Sequence, residues 1–134
     1  MINQPLIHDR HIVKNIFSQL VEQKRFKNMF SKPKNLTIAT VRNEGTMEDR
    51  IISSLKGYEN QSILEANTEY LGIKPLTVLT DARLPWRNTF KFEVILNYLN
   101  SGKCKTKYFM YCDAIDVIFT SDPQKVINIF ESFK

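Results

Sequence analysis

Lys107-Tyr108-Phe109-Met110-Tyr111-Cys112-Asp113-Ala114-Ile115-Asp116-Val117-Ile118-Phe119 is the stretch from which the fold is read. An apolar, aromatic run without Gly or Pro stops at two aspartates, and a second apolar triplet follows. Residues 108–112 predict a strand buried on both faces. A carboxylate inside a sheet is costly to desolvate, so Asp113 and Asp116 are placed where that strand emerges, at its C-terminal end. That edge is where open α/β sheets bind ligands. Two oxygen donors three residues apart on a turn suit Mg²⁺ or Mn²⁺ with a phosphate as co-ligand.

Upstream of this strand, Asn88 or Thr89 opens a helix whose inner face is Phe92, Ile95, Leu96 and Leu99, and Ser101-Gly102 stops it. Before that lies a strand over residues 74–80, followed by Asp81 and the loop Ala82-Arg83-Leu84-Pro85-Trp86-Arg87. Further back, Gln61 to Leu71 reads as a helix with Gly72 behind it, and Thr46 opens another with Ile51, Ile52 and Leu55 on its buried stripe. Leu36 to Val41 is the first strand and leaves the sheet into Arg42-Asn43-Glu44-Gly45. Downstream, Ser121-Asp122-Pro123 begins a last helix lined by Val126, Ile127, Phe130 and Phe133. The order β-α-β-α-β-α predicts a small parallel sheet in a three-layer α/β/α arrangement with right-handed crossovers. For three such strands the expected spatial order is second, first, third. The order then reverses between the first and third strands, so Thr40 to Glu44 and Asp113 to Asp116 face each other across a crevice, with Asp81 further along the edge.

The chain has 134 residues, 43% hydrophobic and 25% charged, the composition of a globular domain with its own core. The net charge of +5 sits at one end. Residues 1–34 carry seven Lys or Arg against two acids, and the remaining charges balance. Residues 1–34 are therefore read as a basic N-terminal arm and residues 35–134 as the α/β domain. Within the arm, residues 9–30 predict an amphipathic helix capped by Asp9, with Ile12, Val13, Ile16, Phe17, Leu20 and Val21 on its stripe. That stripe packs on its own domain, or it mediates self-association, docking on a partner chain or contact with a membrane surface. No apolar run reaches the ~20 residues needed to span a bilayer. The N-terminus lacks the pattern of a secretory signal. Cys104 and Cys112 do not make a disulfide framework, so a reducing cytoplasm is the expected location.

A nucleoside diphosphate in the crevice needs backbone groups after the first strand, a divalent cation, and basic or aromatic groups to close over it. Thr40, Val41, Arg42, Asn43 and Glu44, the Asp113/Asp116 pair, Asp81, and Arg83, Trp86, Arg87 and Lys91 are the candidates. No G-x-x-x-x-G-K-[ST] loop and no G-x-G-x-x-G fingerprint is present, which argues against a P-loop nucleotidase and a dinucleotide oxidoreductase. The two histidines, His8 and His11, lie in the basic arm. No Ser–His or Cys–His arrangement and no Cys-x-x-Cys zinc motif is recognisable.

Tyr111 to Phe119, followed by Asp122-Pro123 and an amphipathic helix, resembles the metal-binding segment of GT-A glycosyltransferases. The nearest likeness is to the glycosyltransferase domain of the procollagen lysyl hydroxylases and related galactosyl- and glucosyltransferases. The resemblance covers about residues 36–134, and Trp86 and Lys91 fall where that family has a loop tryptophan and a helix-opening lysine. It implies a Rossmann-like, partial GT-A fold: the donor-binding half of a Mn²⁺-dependent (or Mg²⁺-dependent) transferase using a UDP-sugar. Asp113 and Asp116 would lie at metal and diphosphate, and Ile115 where the family often stacks an aromatic on the uracil. It also implies a domain that is incomplete or partner-dependent, with an unknown acceptor and unknown catalytic residues. Two alternatives rest on the same residues: a non-enzymatic α/β interaction module, and a metal-dependent nuclease or phosphohydrolase.

Overall fold

A computed structural model describes residues 4–43 and 57–133, with side chains described from residue 12 onward. The helix expected from Thr46, with Ile51, Ile52 and Leu55, and the candidate Glu44 lie outside the described residues. The chain is mixed α/β. Its elements are α1 (Gln4–Gln23), β1 (Leu36–Asn43), α2 (Ile63–Leu71), β2 (Thr77–Asp81), α3 (Thr89–Asn100), β3 (Tyr108–Tyr111) and α4 (Gln124–Glu131).

The three strands form one parallel sheet in the order β2-β1-β3, the order expected from the sequence. Both neighbours of β1 therefore arrive by crossover connections, one on each side, so the strand order reverses between β1 and β3 while all three strands stay parallel. Register places Tyr108 beside Leu36 and Met110 beside Ile38, and Phe109 beside Thr37 and Tyr111 beside Ala39. Because side chains alternate along a strand, Leu36, Ile38, Tyr108 and Met110 share one face. On that face lies the core: Phe17 of α1, Ile63, Ala66, Tyr70 and Leu71 of α2, and Ile127 of α4 pack with Leu36, Ile38 and Ile73. The other face carries α3, whose Tyr98 ring lies 6.1 Å from that of Phe109.

β1 is the buried strand, and it continues two residues beyond the expected Val41 to Asn43. β3 differs from expectation. All four of its residues are half-buried, because it forms one edge of the described sheet and α3 packs chiefly on β2 and β1. α3 is also rotated from its expected setting. Lys91, Val94, Ile95 and Tyr98 are half-buried, while Phe92, Leu96 and Leu99 are 64%, 58% and 42% exposed. The apolar periodicity favoured the second stripe. The Tyr98–Phe109 ring contact and the ion pair of Lys91 with Asp113 accompany the first. α4 likewise buries Ile127 alone and leaves Val126 and Phe130 exposed, as is Phe133 just beyond its end.

α1 begins at Gln4 with Pro5 in its first turn, where Pro is tolerated, so Asp9 lies inside the helix rather than capping it. It ends at Gln23, seven residues earlier than expected, where Lys24 adopts φ 56°. The chain then runs back along the end of α2, with Asn28 and Phe30 donating their N–H groups to the carbonyls of Tyr70 and Leu71 (2.8 and 2.9 Å). Gly72 ends α2 in the left-handed conformation, φ 85°. A Cβ there would stand 2.5 Å from the carbonyl oxygen of Phe30, so the position demands glycine for space as well as for φ.

Candidate functional site at the strand ends

α2 holds the segment after β3 in place. Its N-terminus is closed by a capping box: the Ser62 hydroxyl accepts from the Glu65 N–H, and the Glu65 carboxylate accepts from the Ser62 N–H. The next donor, the Leu64 N–H, goes to the carbonyl of Ala114 between the two aspartates, at 2.9 Å. This helix terminus is thus already occupied, not an open anion cradle. One turn further on, the buried Asn67 amide clamps Phe119. Its Oδ1 accepts from the Phe119 N–H at 2.7 Å and its Nδ2 donates to the Phe119 carbonyl at 3.4 Å. The Asp113–Phe119 segment is pinned to α2 at both ends, which satisfies backbone groups that would otherwise be buried without partners. The Ser62-x-x-Glu65 spacing was a sequence signal for the capping box. Nothing in the sequence singles out Asn67 or its distant partner.

Asp113 emerges one residue beyond the Cys112 N–H, which donates to Ala39 at 3.0 Å and extends the β3–β1 ladder. Its carboxylate accepts from the Tyr111 hydroxyl at 2.6 Å and stands 3.4 Å from the Lys91 ammonium. Lys91 also lies 5.6 Å from the Tyr111 ring centroid. Lys91, Tyr111 and Asp113 therefore converge on the reversal point between β1 and β3. Asp113 keeps 47% of its side chain exposed and Asp116 is exposed, so both can reach a solvent-borne ligand. Burial, with the hydrogen bond to Asp113 and its negative charge, raises the Tyr111 pKa far above its ordinary value, so Tyr111 remains a donor. Burial and the Asp113 charge likewise raise that of Cys112.

The β1–β2 side of the edge is a separate cluster. Asn43 pairs in register with Asp81, and its amide donates to the Arg83 carbonyl at 2.9 Å. Asp81 accepts from both the backbone and the guanidinium of Arg83 at 2.8 Å. Arg83 also reaches Glu93 at 2.6 Å and lies 3.8 Å from the Phe90 ring centroid. Hydrogen bonds from the Arg83 side chain, then from its backbone, hold the Asp81 pKa below its ordinary value. Trp86 packs edge-on against Phe90 at 5.7 Å and Arg87 is exposed.

Thr40 and Val41 are interior strand residues with buried side chains, and Ile115 is half-buried on the aspartate turn. The Arg42 guanidinium is held by Glu65 at 3.0 Å. Of the sequence candidates, the structure groups Asp113 with Lys91, and Asn43 with Asp81. It gives Arg42 to α2. Among the described residues no group of three or more His, Cys, Asp or Glu could hold a metal ion. A small cleft of about 170 Å³ lies between α2 and β2, lined by Glu65, Glu69 and Lys74 among others, and includes neither aspartate of the pair. Among the described residues no helix is long and apolar enough to cross a membrane. Comparison with protein-family models, with curated proteins and with solved structures finds no match to this chain.

Proposed function

We propose that the chain binds a nucleoside-diphosphate sugar, of the UDP class, together with Mn²⁺ or Mg²⁺ at the C-terminal edge of β1 and β3. It does so as the donor-binding half of a GT-A-type glycosyltransferase, and the acceptor side is supplied by further structure or a partner chain. The observation that carries this reading is the convergence of Asp113, Tyr111 and Lys91 where the strand order reverses. The donor set fits the ion: two exposed or half-exposed carboxylates are hard oxygen ligands, and Mg²⁺-like ions commonly take one or two carboxylates with waters and substrate phosphates. Asp113 and Asp116 would hold it. Bound there, the ion would supply Lewis-acid charge stabilisation for a diphosphate leaving group.

The protein's own part is positioning. Ala114 and Phe119, tied to α2, fix the aspartate turn, and Tyr111 orients the Asp113 carboxylate. Lys91, on the first turn of α3, offers the positive charge a diphosphate needs. Arg42 and Asn43 close β1 beside this edge, and Trp86 packs on the helix start that carries Lys91.

A second reading, a non-enzymatic interaction module, has the exposed apolar stripes of α3 and α4 in its favour. Calorimetric titration of UDP with and without Mn²⁺, on the wild type and on Asp113→Ala, separates the two. Mn²⁺-dependent binding abolished by the substitution supports the transferase site. Folded protein that binds UDP in neither condition, yet self-associates, refutes it and favours the module.

A further inference from the structure

We infer that Lys91 is a built-in counter-cation that occupies Asp113 until a divalent ion and a diphosphate arrive together. The inference rests on the function proposed above. Lys91 lies in the first turn of α3, where the helix dipole disfavours a positive charge. Its flexible side chain is nevertheless drawn inward, with 21% of its surface exposed. Long ammonium side chains ordinarily keep their heads in water. The groups that hold this one are the Asp113 carboxylate at 3.4 Å and the faces of Tyr111 and Phe92 at 5.6 and 5.8 Å.

The same oxygen, Oδ1, that faces Lys91 also accepts from Tyr111. A divalent ion approaching Asp113 meets a carboxylate whose charge the ammonium already partly offsets, and the two cations compete for it. A diphosphate bound to that ion gives the ammonium a new partner within reach. Ion and nucleotide are thereby coupled through one side chain: each binds weakly alone and both bind well together.

Mn²⁺ titration followed by the electron-spin-resonance signal of free Mn²⁺, with and without saturating UDP, tests this. Lys91→Met is expected to tighten Mn²⁺ binding in the absence of UDP by about fivefold, the upper range for a partly exposed ion pair. It is also expected to shrink the enhancement that UDP confers. Lys91→Gln should behave like Lys91→Met, and Lys91→Arg, which keeps the charge, like the wild type. Wild-type protein that binds Mn²⁺ and UDP together, with Lys91→Met and Lys91→Gln showing equal or weaker affinity for Mn²⁺ alone, overturns the inference and leaves the proposed function standing. No Mn²⁺ binding by wild type or variants, with or without UDP, overturns both.

Discussion

Replacing Gly72 by Ala should destabilise the fold through two separable effects. Gly72 sits at φ 85°, and a left-handed backbone costs an L-residue about 1–2 kcal/mol. Part of this is offset because Ala restricts the unfolded chain, by about 0.4–1 kcal/mol. The second effect is steric. The new methyl group would stand 2.5 Å from the Phe30 carbonyl oxygen and 3.1 Å from the Asn28 Cα, and both are backbone atoms that cannot rotate away. Relieving such overpacking typically costs about 1–3 kcal/mol. The expected total is about 2–4 kcal/mol. Gly102 supplies the control: its φ is 74°, and an added Cβ there would meet nothing within 4 Å. Gly102→Ala should therefore cost only the conformational part, about 1 kcal/mol. Urea unfolding of both variants, read as a shift in midpoint at unchanged slope, measures the difference. Equal losses at the two positions would refute the close approach between the segment after α1 and the end of α2.

Phe17 is fully buried and meets Tyr58 and Tyr70 edge-on at 6.1 and 6.2 Å. Phe17→Ala should cost about 3–5 kcal/mol in the same assay, while Phe133→Ala, at a residue 81% exposed, should change little. Asn67→Ala removes both partners of the Phe119 backbone and should cost about 1–3 kcal/mol; amide hydrogen exchange at Phe119 should accelerate selectively. The two thiols should separate by pH. Burial raises the Cys104 pKa, but its hydrogen bonds with Thr106 and Thr37 outweigh it and leave the group below its ordinary value. Burial, then the Asp113 charge, raises that of Cys112. As pH rises from 7 to 9, Cys104 should reach its thiolate first, and iodoacetamide labelling followed by peptide mapping should find Cys104 modified ahead of Cys112.

Much of the architecture was legible in the chain itself. Aromatic and β-branched runs that end in polar loops marked all three strands. The alternation of strands and helices required crossover connections, and these led to the order β2-β1-β3. The position of Asp113 just past β3 followed from the cost of burying a carboxylate. Lys91 reads as a site residue from the sequence, yet its contact with Asp113 joins residues 22 positions apart. No local pattern carries that pairing.

Tertiary structure decided what periodicity left degenerate. α3 offers two adjacent stripes at helical spacing, and the one containing Lys91 and Tyr98 turns inward, where Phe109 on β3 and Asp113 just beyond it meet them. β3 reads as fully buried because its residues are apolar, but its burial depends on neighbours that an edge strand lacks on one side. Composition and spacing determine which residues seek burial and where a charge must surface. Which stripe is covered, which carboxylate meets which cation, and which amide clamps a distant backbone are set by elements far apart in the chain, and only their packing brings those partners together.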